Sequence, residues 1–386
     1  MTTNVSRFGA TKLGSAFVGG GFMAEVHSRA ARSAGGRLVG VSSSSLASAD
    51  RAASRIGAEK AYDSFDELLS DPAVDVVHIC TPNTTHASLA AAALRAGKHV
   101  ICEKPLATSV ADALALVELA ALSDAVATVP FAYRFHPMVR EARARVRSGA
   151  SGRVLSVQGS YLQDWLLSSD DDDWRVDERL GGPSRAFADI GSHLCDLIEF
   201  VLDDRIAKLA ALTRTVFGDR AHHKEITTED IVSVVFETRA GVVGTLMISQ
   251  LAPGRKNRLA IEIGATVESL VFDQENPEYL WIGKRVGSQL ALRDEAALDP
   301  SAARYSVVPA GHAQGYQDAF NSFVSDTYCA VRGEEVDGLP VFADGLRAAV
   351  LTKAILDSNA LGEWVSLPEH VTDLAGSSRS EEGIPA

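Results

Sequence analysis

Cysteine is scarce in this chain, four residues in 386, at positions 80, 102, 195 and 329. None stands in a C-x-x-C pair, and three lie in apolar segments such as Val77-His78-Ile79-Cys80. Buried, reduced thiols are expected, and neither a disulfide framework nor a metal site fits that spacing. Positive charge is also in short supply. Lys and Arg total 37 against 50 acidic residues, a formal net charge of −13. A nucleic-acid or polybasic membrane partner is thereby excluded, because both need clustered cations. No apolar run is long enough to cross a bilayer. The first residues, Met1–Lys12, lack the basic-then-apolar order of a secretory signal. The cytoplasm is the expected location.

What is present is an ordinary globular mix, 46% hydrophobic and 23% charged, in a length that suits two domains. Leu13–Val18, Leu38–Val41, Val74–Cys80, His99–Cys102 and Val126–Val129 are apolar on consecutive residues, the pattern of parallel strands covered on both faces. Amphipathic, Ala-rich stretches lie between them, at Ala24–Ser33, Ala47–Ile56, Thr85–Ala96 and Val110–Leu122. Ser64-Phe65-Asp66-Glu67 has capping-box spacing and predicts a further short helix. This alternation predicts an α/β domain, a doubly wound parallel sheet of the Rossmann kind, over residues 1–135.

From residue 136 the texture changes. A helix led by Pro137 is followed by strand-like segments Arg153–Gln163, Ile231–Glu237, Val242–Ser249, Leu259–Ile263, Val267–Phe272 and Tyr279–Ile282. Helices are expected at Ser192–Val201, Ala313–Val331 and Ala343–Leu361. Residues 136–371 therefore read as an α+β domain on a large open, mainly antiparallel sheet. Such a sheet needs its free face covered, and a homodimer or homotetramer would cover it. Residues 372–386, with Gly-Ser-Ser-Arg-Ser-Glu-Glu-Gly, read as a disordered tail.

Phe17-Val18-Gly19-Gly20-Gly21-Phe22-Met23-Ala24 joins the first strand to the first helix and fits G-x-G-x-x-A. Gly19 permits the tight turn, Gly21 lets the backbone approach a pyrophosphate, and Ala24 lets helix and strand pack closely. Phosphates would sit against the free N–H groups of Phe22 and Met23 at the helix start. A glycine-rich turn without a ligand is the bland alternative. The second strand ends in Ser42 and Ser43, where an acidic residue commonly holds the ribose hydroxyls. No Arg follows to pair with a 2′-phosphate, which favours NAD(H) over NADP(H).

Two segments end neighbouring strands: Thr81-Pro82-Asn83 with His86 behind it, and Glu103-Lys104-Pro105. Ligands gather at strand carboxyl ends in open α/β sheets, so both should line the cofactor cleft. Lys104 could hydrogen-bond a substrate hydroxyl or be a solvated strand-end lysine. Asp189-Ile190-Gly191-Ser192-His193 opens a helix and places a carboxylate and an imidazole four residues apart. Histidine suits proton transfer near neutral pH, while a helix cap and an ordinary core histidine explain the same letters.

Taken together, the glycine turn, the run Thr81-Pro82-Asn83 … His86 … Ala96-Gly97-Lys98-His99-Val100 … Glu103-Lys104-Pro105, and the Asp189–His193 segment resemble the Gfo/Idh/MocA oxidoreductase family, over about residues 12–365. The resemblance implies a Rossmann domain followed by an open-faced sheet domain. It also implies Lys104, Asp189 and His193 as the catalytic group: His193 moving the hydroxyl proton, Lys104 stabilising the alkoxide, Asp189 orienting the imidazole or the hydroxyl. Ser43 departs from the acidic residue common at the ribose position.

The expected substrate is a small polyhydroxylated molecule, a sugar, anhydrosugar or inositol, whose secondary alcohol and ketone are interconverted by hydride transfer. Gln163, Trp165 and Arg175 are candidate substrate contacts, since amides and guanidinium suit hydroxyls and rings suit C–H faces, and the resemblance implies Tyr133 beside the nicotinamide or substrate, where a core role explains it equally. Gly311–Tyr316 could also reach the cleft. The acidic run Asp170–Asp173 reads as a solvated loop rather than a metal site. Two other readings share the scaffold. An NAD-dependent glycosidase working through transient C3 oxidation would release a leaving group without net coenzyme reduction. A non-catalytic ligand sensor would have no need of Lys104, Asp189 and His193 together.

Overall fold

The computed structural model describes residues 12–369; the tail expected at 372–386 lies outside the described residues. The first sheet holds β1 (Gly14–Val18), β2 (Arg37–Ser42), β3 (Lys60–Ala61), β4 (Val76–Ile79), β5 (His99–Cys102) and β6 (Ala127–Thr128). Their order is β3-β2-β1-β4-β5-β6 and every pairing is parallel. The order reverses between β1 and β4, which opens a crevice at their carboxyl ends. All five residues of β1 are buried, as the unbroken apolar run requires. Sequence periodicity missed β3, because two residues carry no period. The helix behind Ser64 runs Phe65–Ser70, with Ser64 accepting from the Glu67 N–H at 3.1 Å.

The second sheet adds β7 (Val154–Leu162), β8 (Ile206–Arg214), β9 (Ile231–Thr238), β10 (Val243–Ser249), β11 (Arg258–Ala265), β12 (Ser269–Asp273), β13 (Tyr279–Lys284), β14 (Gly287–Leu292) and β15 (Val365–Ser366). The order is β14-β13-β12-β11-β7-β10-β9-β8-β15, antiparallel except where β10 runs parallel to β7. Neither β8 nor β14 was legible. Ile206–Arg214 is Ala-rich and looks helical, while β14 is exposed along most of its length. Helix Ser192–Leu202 covers one face, with Leu194, Leu197, Ile198 and Val201 wholly buried. Among the described residues nothing covers the opposite face. One row across it reads Ala210, Val235, Thr245, Gln158, Glu262, Val271, Trp281, Leu290.

Helix Tyr316–Val331 packs back onto the first domain. Its Phe320, Phe323, Val324 and Tyr328 share a core with Phe17, Val26, Val76 and Ile101. The Tyr328 hydroxyl meets Ser15 Oγ on β1 and lies 3.2 Å from His78 Nε2 on β4. Tyr328→Phe would leave a buried imidazole nitrogen without its partner, at a cost of about 1–3 kcal/mol. The urea midpoint is expected to fall with an unchanged slope.

Candidate active site

One cleft of about 1320 Å³ lies between the domains at the carboxyl ends of β1, β2, β4 and β5. The glycine turn, Phe22 and Met23, Ser42 and Ser43, Thr81 to Asn83, His86, Glu103 and Lys104 line its first-domain wall. Tyr133, Gln163, Trp165, Arg175, Asp189 and His193 line the rest. These coenzyme, substrate and catalytic candidates thus reach a single cavity.

At the coenzyme end, Gly19 has φ +96°, and a Cβ there would stand 2.6 Å from the carbonyl oxygen of Cys80. A Cβ on Gly21 would meet no protein atom within 4 Å. Gly19 is therefore demanded by the fold, whereas Gly21 opens onto the cleft. The helix begins at Phe22, two residues before the sequence expectation, and no side chain caps its N-terminus. Its free N–H groups are left for an anion. These features fit a dinucleotide pyrophosphate. At the adenosine end Ser43 Oγ donates to Ser48 Oγ at 3.1 Å. Arg55 touches the carbonyl of Gly20 but is tied to Glu25 at 2.8 Å.

Some of these residues act on the protein itself. His86 is buried, with Nδ1 2.7 Å from the Pro105 carbonyl and Nε2 2.8 Å from that of Thr81. A neutral ring donates to one of these two carbonyls and so braces a strand end, while His86 also lines the cleft where a coenzyme contact was expected. Asn83 likewise donates through Nδ2 to the carbonyl of Gly181 at 2.9 Å, tying the two domains across the cleft. Glu103 accepts from the Lys104 N–H at 3.1 Å and lies 3.0 Å from His27 Nε2. His27 Nδ1 lies 3.0 Å from His78 Nδ1, and His78 Nε2 in turn 3.2 Å from the Tyr328 hydroxyl. Burial would raise the pKa of Glu103, but the His27 bond and the charge on Lys104 hold it below the ordinary carboxylate value.

At the reaction end, Lys104 Nζ lies 2.6 Å from Asp189 Oδ1 and 2.9 Å from the Asp189 carbonyl oxygen. Asp189 sits in a π-helical turn, Phe187–Gly191, that leads into helix Ser192–Leu202. Turns of this width recur at functional sites. The other carboxylate oxygen accepts from Gln250 Nε2 at 3.0 Å, and Arg175 Nε stands 3.7 Å from Oδ1. Burial opposes ionisation of Asp189, yet Lys104 and Arg175 bring its pKa down to about 2. No hydrogen bond joins Asp189 to His193. Of the two expected roles, orienting the imidazole or the substrate hydroxyl, the first has no hydrogen bond here; the carboxylate holds Lys104 instead.

His193 is held by packing instead. Its ring stands edge-on to Phe131 and Tyr133, with centroids 5.5 and 5.1 Å away. Its Nδ1 is buried with no partner among the described residues. Burial, reinforced by the charge of Lys104, lowers its pKa to about 3. The imidazole is consequently neutral around pH 7, with one ring nitrogen able to accept a proton.

Sequence reasoning missed Gln250 and Asn257, which line or brace the site from loops without any local motif. Tyr316, in the segment expected to approach the cleft, does line it, 6.1 Å from the Tyr133 ring. His312 is directed elsewhere, its carbonyl taken by Arg293. Three residues of the acidic run serve three ends: Asp171 accepts from Ser168, Asp172 from His222 and His223, and Asp173 from Arg175.

Comparison with known proteins decides what kind of cleft this is. Residues 13–131 match the Gfo/Idh/MocA oxidoreductase family with an NAD-binding Rossmann fold, and residues 139–270 match its C-terminal domain. The levoglucosan dehydrogenase of Pseudarthrobacter phenanthrenivorans is 31% identical over 91% of this chain and 97% of its own. The chain belongs to the Gfo/Idh/MocA family. Two solved members superpose closely. An oxidoreductase domain protein from Kribbella flavida is 32% identical, with a TM-score of 0.87, over 93% of this chain and all of its own. Levoglucosan dehydrogenase in complex with NADH and levoglucosan is 29% identical with the same TM-score, again over 93% of this chain and all of that one. Like other members of this sugar, anhydrosugar and inositol dehydrogenase family, the chain is an oxidoreductase with an NAD-binding first domain.

The depressed pKa values have a consequence for stability. The unfolded chain binds a proton at His193 from about pH 6.5 downward, the folded chain only near pH 3, so stability falls as pH drops through that window. Asp189 acts with the same sign lower down, its contribution being lost as pH falls from 3.8 to about 2. In His193→Asn, urea midpoints are expected to fall less steeply between pH 6.5 and 3, by up to about 1.4 kcal/mol per pH unit.

Proposed function

We propose that this protein is an NAD-dependent dehydrogenase that oxidises a secondary alcohol of a small polyhydroxylated substrate, a sugar, anhydrosugar or inositol, to the ketone. The observation that carries the reading is the juxtaposition of a neutral, unpartnered His193 with a Lys104 held by Asp189, in the cleft that the glycine turn enters. NAD, when bound, supplies the acceptor for the hydride that leaves the carbinol carbon. His193 takes the hydroxyl proton as the C–H electron pair departs and the C=O bond forms. The Lys104 ammonium stabilises negative charge developing on the oxygen, and Asp189 aims that ammonium. In reduction of the ketone, His193 returns the proton.

The relatives' named substrates and the NADH complex support this assignment. NAD is favoured over NADP because serines line the ribose end, and Arg55, the cation touching the glycine turn, is neutralised by Glu25. His193→Ala and Lys104→Ala are expected to lose at least about 10²-fold in turnover while still binding NADH, read by nicotinamide absorbance and coenzyme fluorescence. Near-native turnover of either variant defeats the role assigned to it. Running the same assay with both coenzymes checks the preference for NAD.

The uncovered sheet face supports a homodimer or homotetramer. Leu212, Val235, Met247, Trp281 and Leu290 are each more than a third exposed there, an apolar strip that water does not favour. Light scattering on the eluting protein is expected to give a mass of two or four chains, and Met247→Lys to shift it toward one.

A further inference from the structure

Between the end of β7 at Leu162 and a helical turn at Trp174–Val176, residues 163–173 form neither helix nor strand. This stretch and the turn behind it bring Gln163, Trp165, Trp174 and Arg175 to the wall of the cleft. A wall carried on irregular backbone is only as well defined as the contacts that hold that backbone. Local bonds supply some of them. Asp171 Oδ2 accepts from Ser168 N and Oγ at 2.8 and 3.1 Å, and Asp173 caps the turn through the Arg175 N–H at 3.0 Å.

The remaining contacts come from the segment between β8 and β9. Its Arg220 is 1% exposed and does not line the cleft. Arg220 Nη1 lies 3.1, 2.7 and 2.9 Å from the carbonyl oxygens of Leu166, Ser168 and Asp171. One guanidinium end thus gathers the loop from its first turn to its acidic run. Beside it, Asp172 accepts from the His222 and His223 N–H groups at 2.5 and 3.1 Å. Trp165 and Arg175 line the cleft, while the residue after each, Leu166 and Val176, is buried in a cluster with Ile226 of the same segment.

Asp230 fixes where Arg220 stands. Its Oδ1 accepts from Arg220 Nη2 at 2.8 Å and from Arg185, and its Oδ2 from the Val216 and Phe217 N–H groups at 2.6 and 3.2 Å. The carbonyl of Arg185 in turn accepts from the Asp189 N–H at 2.8 Å. One carboxylate therefore ties the anchor of the substrate loop to the turn that holds Asp189. A planar guanidinium can serve the carboxylate and the carbonyls at once from fixed directions, which a lysine ammonium cannot.

We propose that Arg220 is a positioning residue for the substrate: from outside the cleft it fixes the backbone that presents Trp165, Trp174 and Arg175, and so sets affinity for the polyol without touching it. The proposal rests on the dehydrogenase reading for its substrate class. In the full chain, Arg220→Met keeps most of the bulk and leaves Asp230 its Arg185 partner. Levoglucosan, glucose and myo-inositol are titrated calorimetrically into the protein saturated with NADH, and oxidation of each by NAD is followed separately. For the best-bound of the three, Arg220→Met is expected to raise Kd and KM about tenfold or more, with kcat kept within about threefold and NADH affinity within about twofold. Amide hydrogen exchange is expected to quicken over residues 163–176 and to stay unchanged over 14–24. Arg220→Lys, a single-point donor, should fall between native and Met. If Arg220→Met does not fold, Asp172→Ala, at the margin of the loop, is expected to raise Kd about threefold with the same pattern of exchange. Native substrate affinity in a folded Arg220→Met, or an equal loss for substrate and NADH, overturns the proposal and leaves the dehydrogenase reading standing. Binding that depends on Arg220 with no hydride transfer to NAD does the reverse, and a native protein that binds none of the three overturns both.

Discussion

The contact on which the site depends is the double hold of Lys104 Nζ on the carboxylate and the carbonyl of Asp189. Lys104 follows β5 of the first sheet, and Asp189 stands in the turn before the helix that covers the second. A single ammonium therefore joins the coenzyme domain to the substrate domain at the place where chemistry would occur. Each group is mostly buried, so neither could be ionised there alone without a large desolvation cost. Lys104 holds Asp189 well below the ordinary carboxylate value, while burial first and the charge of Lys104 second oppose protonation of His193. The neutral base and the ion pair are two sides of one electrostatic arrangement.

The same economy of hydrogen bonds extends outward in both directions. Behind Lys104, Glu103 is held by His27, His27 by His78, and His78 by Tyr328 on a helix more than two hundred residues away in the chain. In front of it, Tyr133 packs against His193 and its hydroxyl accepts from Asn257 Nδ2. A strand end would ordinarily be mobile at a lysine. Here its backbone is fixed by Glu103 and its side chain by Asp189, which is the preorganisation that stabilisation of a developing alkoxide needs.

Local patterns were legible wherever a residue's role depends on its neighbours in the chain. The buried run of β1, the G-x-G-x-x-A turn and the strand-end position of Lys104 all follow from periodicity and from the rule that ligands collect at strand carboxyl ends. Asp189 and His193 were legible as a pair because four residues span one helical turn. Their relation was not: the carboxylate turns to Lys104 and Gln250, partners 85 and 61 residues away. Gln250 and Asn257 follow no motif, and Ile206–Arg214 is a strand only because β9 pairs with it.

By itself, the sequence determined that the chain builds a parallel nucleotide-binding sheet, where its phosphate turn lies, and which titratable residues stand at strand and helix ends. Those features are set by short-range sterics and by burial on one or both faces, which a linear pattern records. The tertiary structure decided which of those residues face one another, that His86 braces a strand end as well as lining the cleft, and that Gln250 and Asn257 join the site. Those outcomes depend on hydrogen-bond partners brought together from distant parts of the chain, and no local spacing encodes them.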